Sequence, residues 1–223
     1  MFYLRSSFLI CLLLALQSAW AGEPLYFKGE ISEQSVDAFI SKYADSKAGT
    51  LYIDSGGGEV EAGIRLGLWL HNRDMNVIVD GVCLSSCANY VFTAGKKKTV
   101  LKGSVVGWHG NYHHLKSTGL WMDDVELRMS RDGEDRTTAT AKVRAQLEKL
   151  VALEKDFFTT VGVSEYLCWV GKVDPFNVSD YYTLTAMDMG WFGVKNVSLP
   201  LGYWEQDFSV FDERIVYIRL PQH

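Results

Sequence analysis

The sequence has only four prolines among 223 residues, and it contains no internal repeat and no low-complexity tract. A disordered chain and a repeat architecture are therefore not indicated. Beyond the first residues, no run reaches about 18 apolar residues, the length that spans a membrane. Basic residues cluster only at positions 96–98 and the formal net charge at pH 7 is −5, so we expect no nucleic-acid partner.

The first 21 residues have the features of a secretory signal peptide. Arg5 precedes an apolar run at residues 8–16, and Ala19, Trp20 and Ala21 form a small-x-small cleavage pattern. We predict cleavage after Ala21 and a periplasmic or secreted location; an uncleaved anchor is the alternative. The remaining residues 22–223 are enough for one domain and short for two.

Cysteine is scarce, and one of the four cysteines, Cys11, falls within the leader. Of the other three, Cys83 and Cys87 form a disulfide if the chain turns between them, since a bridge needs Cα atoms about 4.4 to 6.8 Å apart. Two small buried thiols are the alternative, and Cys168 is left over. No further Cys or His stands at zinc-finger spacing, so we expect neither a metal nor a cofactor.

Hydrophobic periodicity predicts strands that alternate with helices. The predicted strands are 25–27, 50–54, 76–82 and 99–108, and the predicted helices are 35–43, 60–71 and 86–94. This alternation predicts an α/β fold with a mostly parallel sheet flanked by helices. Residues 122–160 read as helix interrupted near 132–134, and residues 208–220 read as a strand or hairpin.

Three polar or glycine-rich segments follow predicted strands, where α/β sheets place their binding sites. They are the triple glycine at 56–58, CLSSCANY at 83–90 and GWHG at 107–110. Ser86 suits a nucleophile on a tight strand-to-helix turn, although Ser85 and Ser86 are equally suited to capping a helix. His109 suits a general base or a structural histidine, and His113 and His114 are competing bases.

These segments resemble a known family. LYIDSGGGEVEAG (51–63) is similar to the glycine turn of the Clp protease proteolytic subunit and of signal peptide peptidase A, both related to crotonases. SSCANYVFTAGKK (85–97) resembles the nucleophile segment, with Gly95 nine positions after Ser86, and LTAMDMGWFG (184–193) resembles the closing signature. The resemblance covers about 26–197, leaves 198–223 as an extension, and implies a repeated β-β-α spiral core.

The resemblance also implies roles for individual residues. Ser86 is then the nucleophile, His109 the base, and the backbone amides of Gly58 and Cys87 the oxyanion hole. The family's catalytic aspartate falls on Tyr181, so we assign the acid to the neighbouring Asp180. Asp174, or a dyad without an acid, is the alternative.

The expected function is therefore an exported serine hydrolase that acts on peptides or unfolded proteins. Export removes the ATP supply, so no ATP-driven unfoldase is expected as a partner. A homo-oligomer is implied by the resemblance, and the apolar stripe of residues 143–157 is expected to pack either on a second copy or within the chain. A catalytically silent binding or assembly protein is the main alternative, and acyl-CoA chemistry is a less favoured one.

Overall fold

The computed structural model describes residues 22–211 and 214–221, so the predicted signal peptide lies outside the described residues. Strand β1 (Leu25–Lys28) is followed by α1 (Glu33–Lys42), β2 (Thr50–Ser55), α2 (Val60–His71) and β3 (Asn76–Leu84). The three strands are parallel neighbours, with Leu25 opposite Leu51 and Leu51 opposite Val77. The predicted strand–helix alternation is confirmed in this half of the chain.

The predicted strand at 99–108 is wrong in its length, because it is two short strands. These are β4 (Lys98–Val100) and β5 (Val105–Gly107), which pair with the first and second halves of β3. A turn separates them: the Ser104 amide donates to the Leu101 carbonyl at 3.0 Å, and Gly103 has φ +80°. Glycine enters this left-handed region at no steric cost, so the strand breaks there.

The helices of the middle of the chain lie on either side of β4 and β5. A π-helix (Cys87–Phe92) precedes β4, and three α-helices follow β5: α3 (Tyr112–Thr118), α4 (Met122–Asp132) and α5 (Arg136–Val161). The interruption predicted near 132–134 is confirmed, since Gly133 closes α4 and Asp135 caps α5 through the amides of Thr137 and Thr138. Helix α3 was missed because its seven residues are too short for periodicity to register.

The last part of the chain builds β6 (Tyr181–Thr183), α6 (Ala186–Trp191), β7 (Val197–Ser198) and β8 (Ile215–Tyr217). Strand β7 extends the main sheet, whose order is β1-β2-β3-β4-β7 with β5 also on β3. Strands β6 and β8 form a separate parallel pair. The predicted tail is therefore a strand and not a hairpin, and residues Phe208–Phe211 form a 3-10 turn ahead of it.

The core lies between one face of the main sheet and α1, α2, the π-helix and α5. Its largest fully buried side chains include Trp108, Tyr90, Tyr182 and Phe157. The apolar stripe of α5 is buried within the chain, with Leu147 and Leu150 at 4% and 3% exposure. Of the two expected ways to bury this stripe, the structure shows packing within the chain. Within the described residues, no helix combines the length and apolarity needed to cross a membrane.

Candidate active site

The end of β3 and the end of β5 bring a serine and a histidine together. Ser85 Oγ lies 2.8 Å from His109 Nε2, within hydrogen-bonding distance. The two strands are parallel neighbours, with Leu84 opposite Gly107, so the residues that follow them emerge at the same edge of the sheet. This edge is where ligands bind in open α/β sheets.

Ser85 occupies a sharp turn between β3 and the π-helix. Its φ of +54° lies in the left-handed region, which a residue with a Cβ rarely adopts. Two backbone hydrogen bonds hold it there: its amide donates to the Gly107 carbonyl at 3.1 Å, and its carbonyl accepts from the Asn89 amide at 2.8 Å. The turn leaves the Ser85 side chain partly exposed, which a nucleophile requires.

The sequence assigned the nucleophile to Ser86, and the structure pairs its neighbour with the histidine instead. Ser86 is 2% exposed, and its hydroxyl donates to the Gly58 carbonyl at 2.7 Å. Ser86 therefore ties the nucleophile turn to the glycine turn, and its hydroxyl points away from His109. The geometry favours Ser85 over Ser86 for the nucleophile.

The helix that follows the two serines is not a regular α-helix. Residues Cys87–Phe92 form a π-helix, a rare element that often occurs at functional sites. The assignment of Ser86 rested on motif resemblance, with Gly95 nine positions later, and did not consider the type of this helix.

The glycine turn lies against the serine turn. Gly57 and Gly58 have φ values of +99° and +143°. A Cβ built on Gly57 would lie 2.6 Å from the Leu84 carbonyl oxygen and 2.7 Å from Ser85 Cβ. Only glycine therefore fits here, and the Gly57 backbone approaches the Ser85 turn without a side chain in between.

A disulfide joins the two ends of the serine turn. Cys83, in β3, and Cys87, at the start of the π-helix, are bonded with their Cα atoms 5.1 Å apart, so the predicted pairing is confirmed. Both are fully buried, and Cys168 remains a buried free thiol. The bridge encloses Leu84, Ser85 and Ser86 in a short covalent loop.

His109 has the environment of a neutral imidazole. Partial desolvation lowers its pKa from the usual 6.5, and the positive charges of Lys172 and His114 lower that pKa further. The Tyr181 ring packs on the imidazole, with ring centroids 4.6 Å apart. A depressed pKa keeps the ring uncharged and able to accept a proton near neutral pH.

The structure brings neither predicted acid into hydrogen-bonding contact with the histidine. Asp180 is exposed, and its carbonyl accepts from Lys172 Nζ at 3.2 Å. Asp174 accepts from the Asn177 side-chain amide nitrogen at 2.6 Å. Within the described residues no carboxylate hydrogen-bonds to His109.

The two competing histidines serve other contacts. The Nδ1 atom of His113 lies 2.8 Å from Glu165, and the backbone amide of the buried His114 donates to Oδ1 of Asn111, the N-cap of α3. Both rings stack on Trp169. Over residues 22–211 and 214–221, no group of three His, Cys, Asp or Glu side chains is arranged to hold a metal ion.

One buried carboxylate beside the site escaped the sequence analysis. Glu154 in α5 is fully buried and accepts from the Tyr90 hydroxyl at 2.5 Å. It also accepts from the amides of Tyr112 and His113, each at 3.2 Å. The signal that could have found it is helical spacing: Glu154 lies four residues after Leu150 and three before Phe157, on the apolar stripe of α5, whereas Glu148 lies off that stripe and is exposed.

No family model and no curated protein matches the chain. Among solved structures, a mutant of the 1510-N membrane-bound stomatin-specific protease is 16% identical with a TM-score of 0.32, and the match covers 52% of this chain and 66% of that one. ClpP1 from Listeria monocytogenes is 17% identical with a TM-score of 0.36, covering 54% of this chain and 78% of that one. Each of the two matches covers about half of this chain.

Proposed function

We propose that the protein is a serine hydrolase in which Ser85 is the nucleophile and His109 the general base. The observation that carries the proposal is the 2.8 Å contact between Ser85 Oγ and His109 Nε2. A partly exposed serine on a left-handed turn, with a base in reach, has the arrangement of an activated nucleophile. This contact favours a hydrolase over a binding protein that has kept the fold and lost the chemistry.

The reaction would proceed by acyl transfer. Neutral His109 accepts the Ser85 hydroxyl proton at Nε2 while Ser85 Oγ attacks the substrate carbonyl carbon. The carbonyl oxygen takes the electron pair, and His109 then donates the proton to the leaving group as the acyl-enzyme forms. Water, deprotonated by His109 in the same way, releases the acid and restores Ser85.

The oxyanion hole would consist of backbone amides. With Ser85 as the nucleophile, the following amide belongs to Ser86 and replaces the Cys87 amide of the sequence-based assignment. The Gly58 amide stays as the second donor, because the Ser86 hydroxyl holds the Gly58 carbonyl beside the serine turn. Each such donor contributes about 2.7 to 4 kcal/mol of transition-state stabilisation.

The proposed substrates are short peptides or unfolded chains. A cleft of about 310 Å³ opens beside the glycine turn, and its lining includes Glu59 and Tyr112. Glu59 follows Gly58 directly and Tyr112 lies three residues after His109, so the cleft is lined by neighbours in sequence of the proposed site, although Ser85 and His109 do not line it themselves. An open groove of this kind accepts an extended chain more readily than a compact folded protein.

We also propose export to an oxidising compartment and assembly of several copies. The Cys83–Cys87 disulfide supports export, because such bridges persist in periplasmic and secreted proteins. Tyr26 is 64% exposed and stacks on Tyr52 on the outer face of β1 and β2, and parallel sheets rarely leave a face uncovered. Mass photometry should give a particle several times the mass of one chain; a monomer would contradict assembly.

Labelling with a fluorophosphonate probe tests the hydrolase. Wild-type protein should be labelled on Ser85, as read by peptide mass spectrometry, and Ser85→Ala should abolish labelling. Ser86→Ala loses one hydrogen bond and should keep labelling within about tenfold of wild type. Asp180→Asn should label like wild type.

Folded wild-type protein that takes no label would overturn the proposal. Labelling that is lost in Ser86→Ala and kept in Ser85→Ala would return the nucleophile to Ser86. Circular dichroism on each variant separates loss of the nucleophile from loss of the fold.

A further inference from the structure

The two proposed catalytic residues are carried by separate segments, and beyond the pairing of β3 with β5 those segments are joined by side-chain hydrogen bonds at two further places. Asn89, on the π-helix four residues after Ser85, donates to the Gly110 carbonyl at 3.0 Å. Tyr90, the next residue, donates to Glu154 at 2.5 Å. Glu154 in turn accepts from the amides of Tyr112 and His113, which follow His109 closely in the chain.

We infer that Glu154 is a positioning residue of the proposed hydrolase, which holds the segment carrying His109 in register with the turn carrying Ser85. Its two carboxylate oxygens connect three elements: the π-helix, the start of α3, and its own helix α5. The role rests on the proposed function, since it consists of setting the distance between nucleophile and base.

A fully buried carboxylate is costly unless several donors satisfy it, so its presence indicates a specific use. Glu154 has one hydroxyl donor and two backbone donors, and the backbone donors are the N-terminal amides of α3, which no residue of that short helix can satisfy. A neutral or shorter side chain would leave one of these amides without an acceptor.

The charge state of Glu154 determines how many donors it can accept. The titratable groups that face it are Tyr90 on the π-helix, Tyr112 and His113 at the start of α3, and Glu165 and Cys168 on the 3-10 turn Glu165–Cys168; the His113 imidazole pairs with Glu165. Burial, with a smaller effect from Glu165, raises the Glu154 pKa to about 7. Protonation converts one oxygen to a hydroxyl, which donates and so releases one of the α3 amides.

The variant that isolates this role is Glu154→Gln, which keeps the shape and one acceptor oxygen. At pH 8 we expect the maximal inactivation rate of a fluorophosphonate to fall about tenfold or more while its dissociation constant changes little, because the reacting groups are displaced and the cleft is intact. Below about pH 6, wild-type Glu154 is itself protonated, so the two rates should converge. Glu148→Gln, on an exposed position of α5, is the matched control and should behave as wild type throughout.

Each outcome separates the inference from the proposed function. If wild-type protein takes no label, the hydrolase fails and the positioning role with it. If wild type is labelled and folded Glu154→Gln keeps its rate at pH 8, or differs from wild type by the same factor at every pH, the positioning role alone is overturned. Should Glu154→Gln not fold, Tyr90→Phe decides: it removes the hydroxyl that joins the π-helix to Glu154, and an unchanged rate in that variant contradicts the role.

Discussion

Lys172 places a positive charge near the proposed base. Its Nζ donates to the carbonyls of Ser179 and Asp180, and its charge lowers the His109 pKa together with burial. In many serine hydrolases an acid stabilises the imidazolium, whereas here a cation disfavours it. The arrangement favours the uncharged base over the protonated intermediate.

Replacing Lys172 should therefore raise the His109 pKa. In Lys172→Met the acid limb of the labelling rate should move to higher pH, because neutral His109 is the active form. An NMR titration of the His109 Cε1 proton measures the same shift without reference to activity. Lys116→Met removes an exposed cation from α3 and should leave both measurements unchanged; a lower His109 pKa in Lys172→Met would contradict the interpretation.

At single residues, motif spacing gave a nucleophile one position away from the serine that contacts His109. His109 and the glycine turn lie where the pattern put them, but Ser85 and Ser86 are indistinguishable by type and adjacent in sequence. Choosing between them requires the hydrogen bond of each hydroxyl, to His109 for Ser85 and to the Gly58 carbonyl for Ser86. The surroundings of His109, with the Tyr181 ring packed on it and the Lys172 charge nearby, also come from tertiary packing and have no local sequence pattern.

Among elements, the disulfide has the clearest energetic role. Closing a loop of a few residues removes denatured-state entropy worth about 2 kcal/mol. It also covalently fixes the left-handed turn that carries Ser85, between the end of β3 and the start of the π-helix.

The double variant Cys83→Ala, Cys87→Ala should lose about 2 kcal/mol or more of unfolding free energy in urea, since two buried sulfurs are also removed. Labelling of Ser85 should slow in the protein that remains folded. Cys168→Ala removes a buried thiol of equal size without a bridge and provides the comparison. A loss in the double variant no greater than twice that in Cys168→Ala would show that the bridge itself contributes nothing.

Long elements were predictable because burial repeats along them. Helix α2 matches its predicted bounds, and the buried strand β3 extends its prediction by two residues. The prediction failed for short elements: β4 and β5 were predicted as one strand across a turn, and α3 was missed. Seven residues or fewer hold too few periods of the 3.6-residue helical repeat or of the two-residue strand repeat to distinguish a helix from a strand or from a turn.

At the scale of the whole molecule, Glu154 should make folding stability depend on pH. Its pKa is raised to about 7 from the ordinary 4.5, so between these values the folded protein holds a proton that the unfolded chain has lost. Stability from this group is therefore fully present below pH 4.5 and falls as the pH rises to 7, by about 3 kcal/mol in total.

Urea unfolding of wild type and Glu154→Gln at pH 5 and pH 8 measures this dependence. The stability of wild type relative to the variant should decrease by about 2.5 kcal/mol between the two conditions, since part of the total has already been lost at pH 5 and other groups cancel in the difference. Glu148→Gln should show no such change. A relative stability that rises with pH would mean that the native carboxyl titrates below its ordinary value.

The small β6–β8 sheet has a consequence for the order in which the protein matures. Strand β6 begins at Tyr181, whose ring packs on His109, and it pairs with β8 at Ile215–Tyr217. A chain emerging from the ribosome or crossing a membrane from its N-terminus presents Ser85 and His109 long before β8 follows. The support behind the imidazole is thus completed last, so the proposed nucleophile and base come into register only once the C-terminal strand has been made.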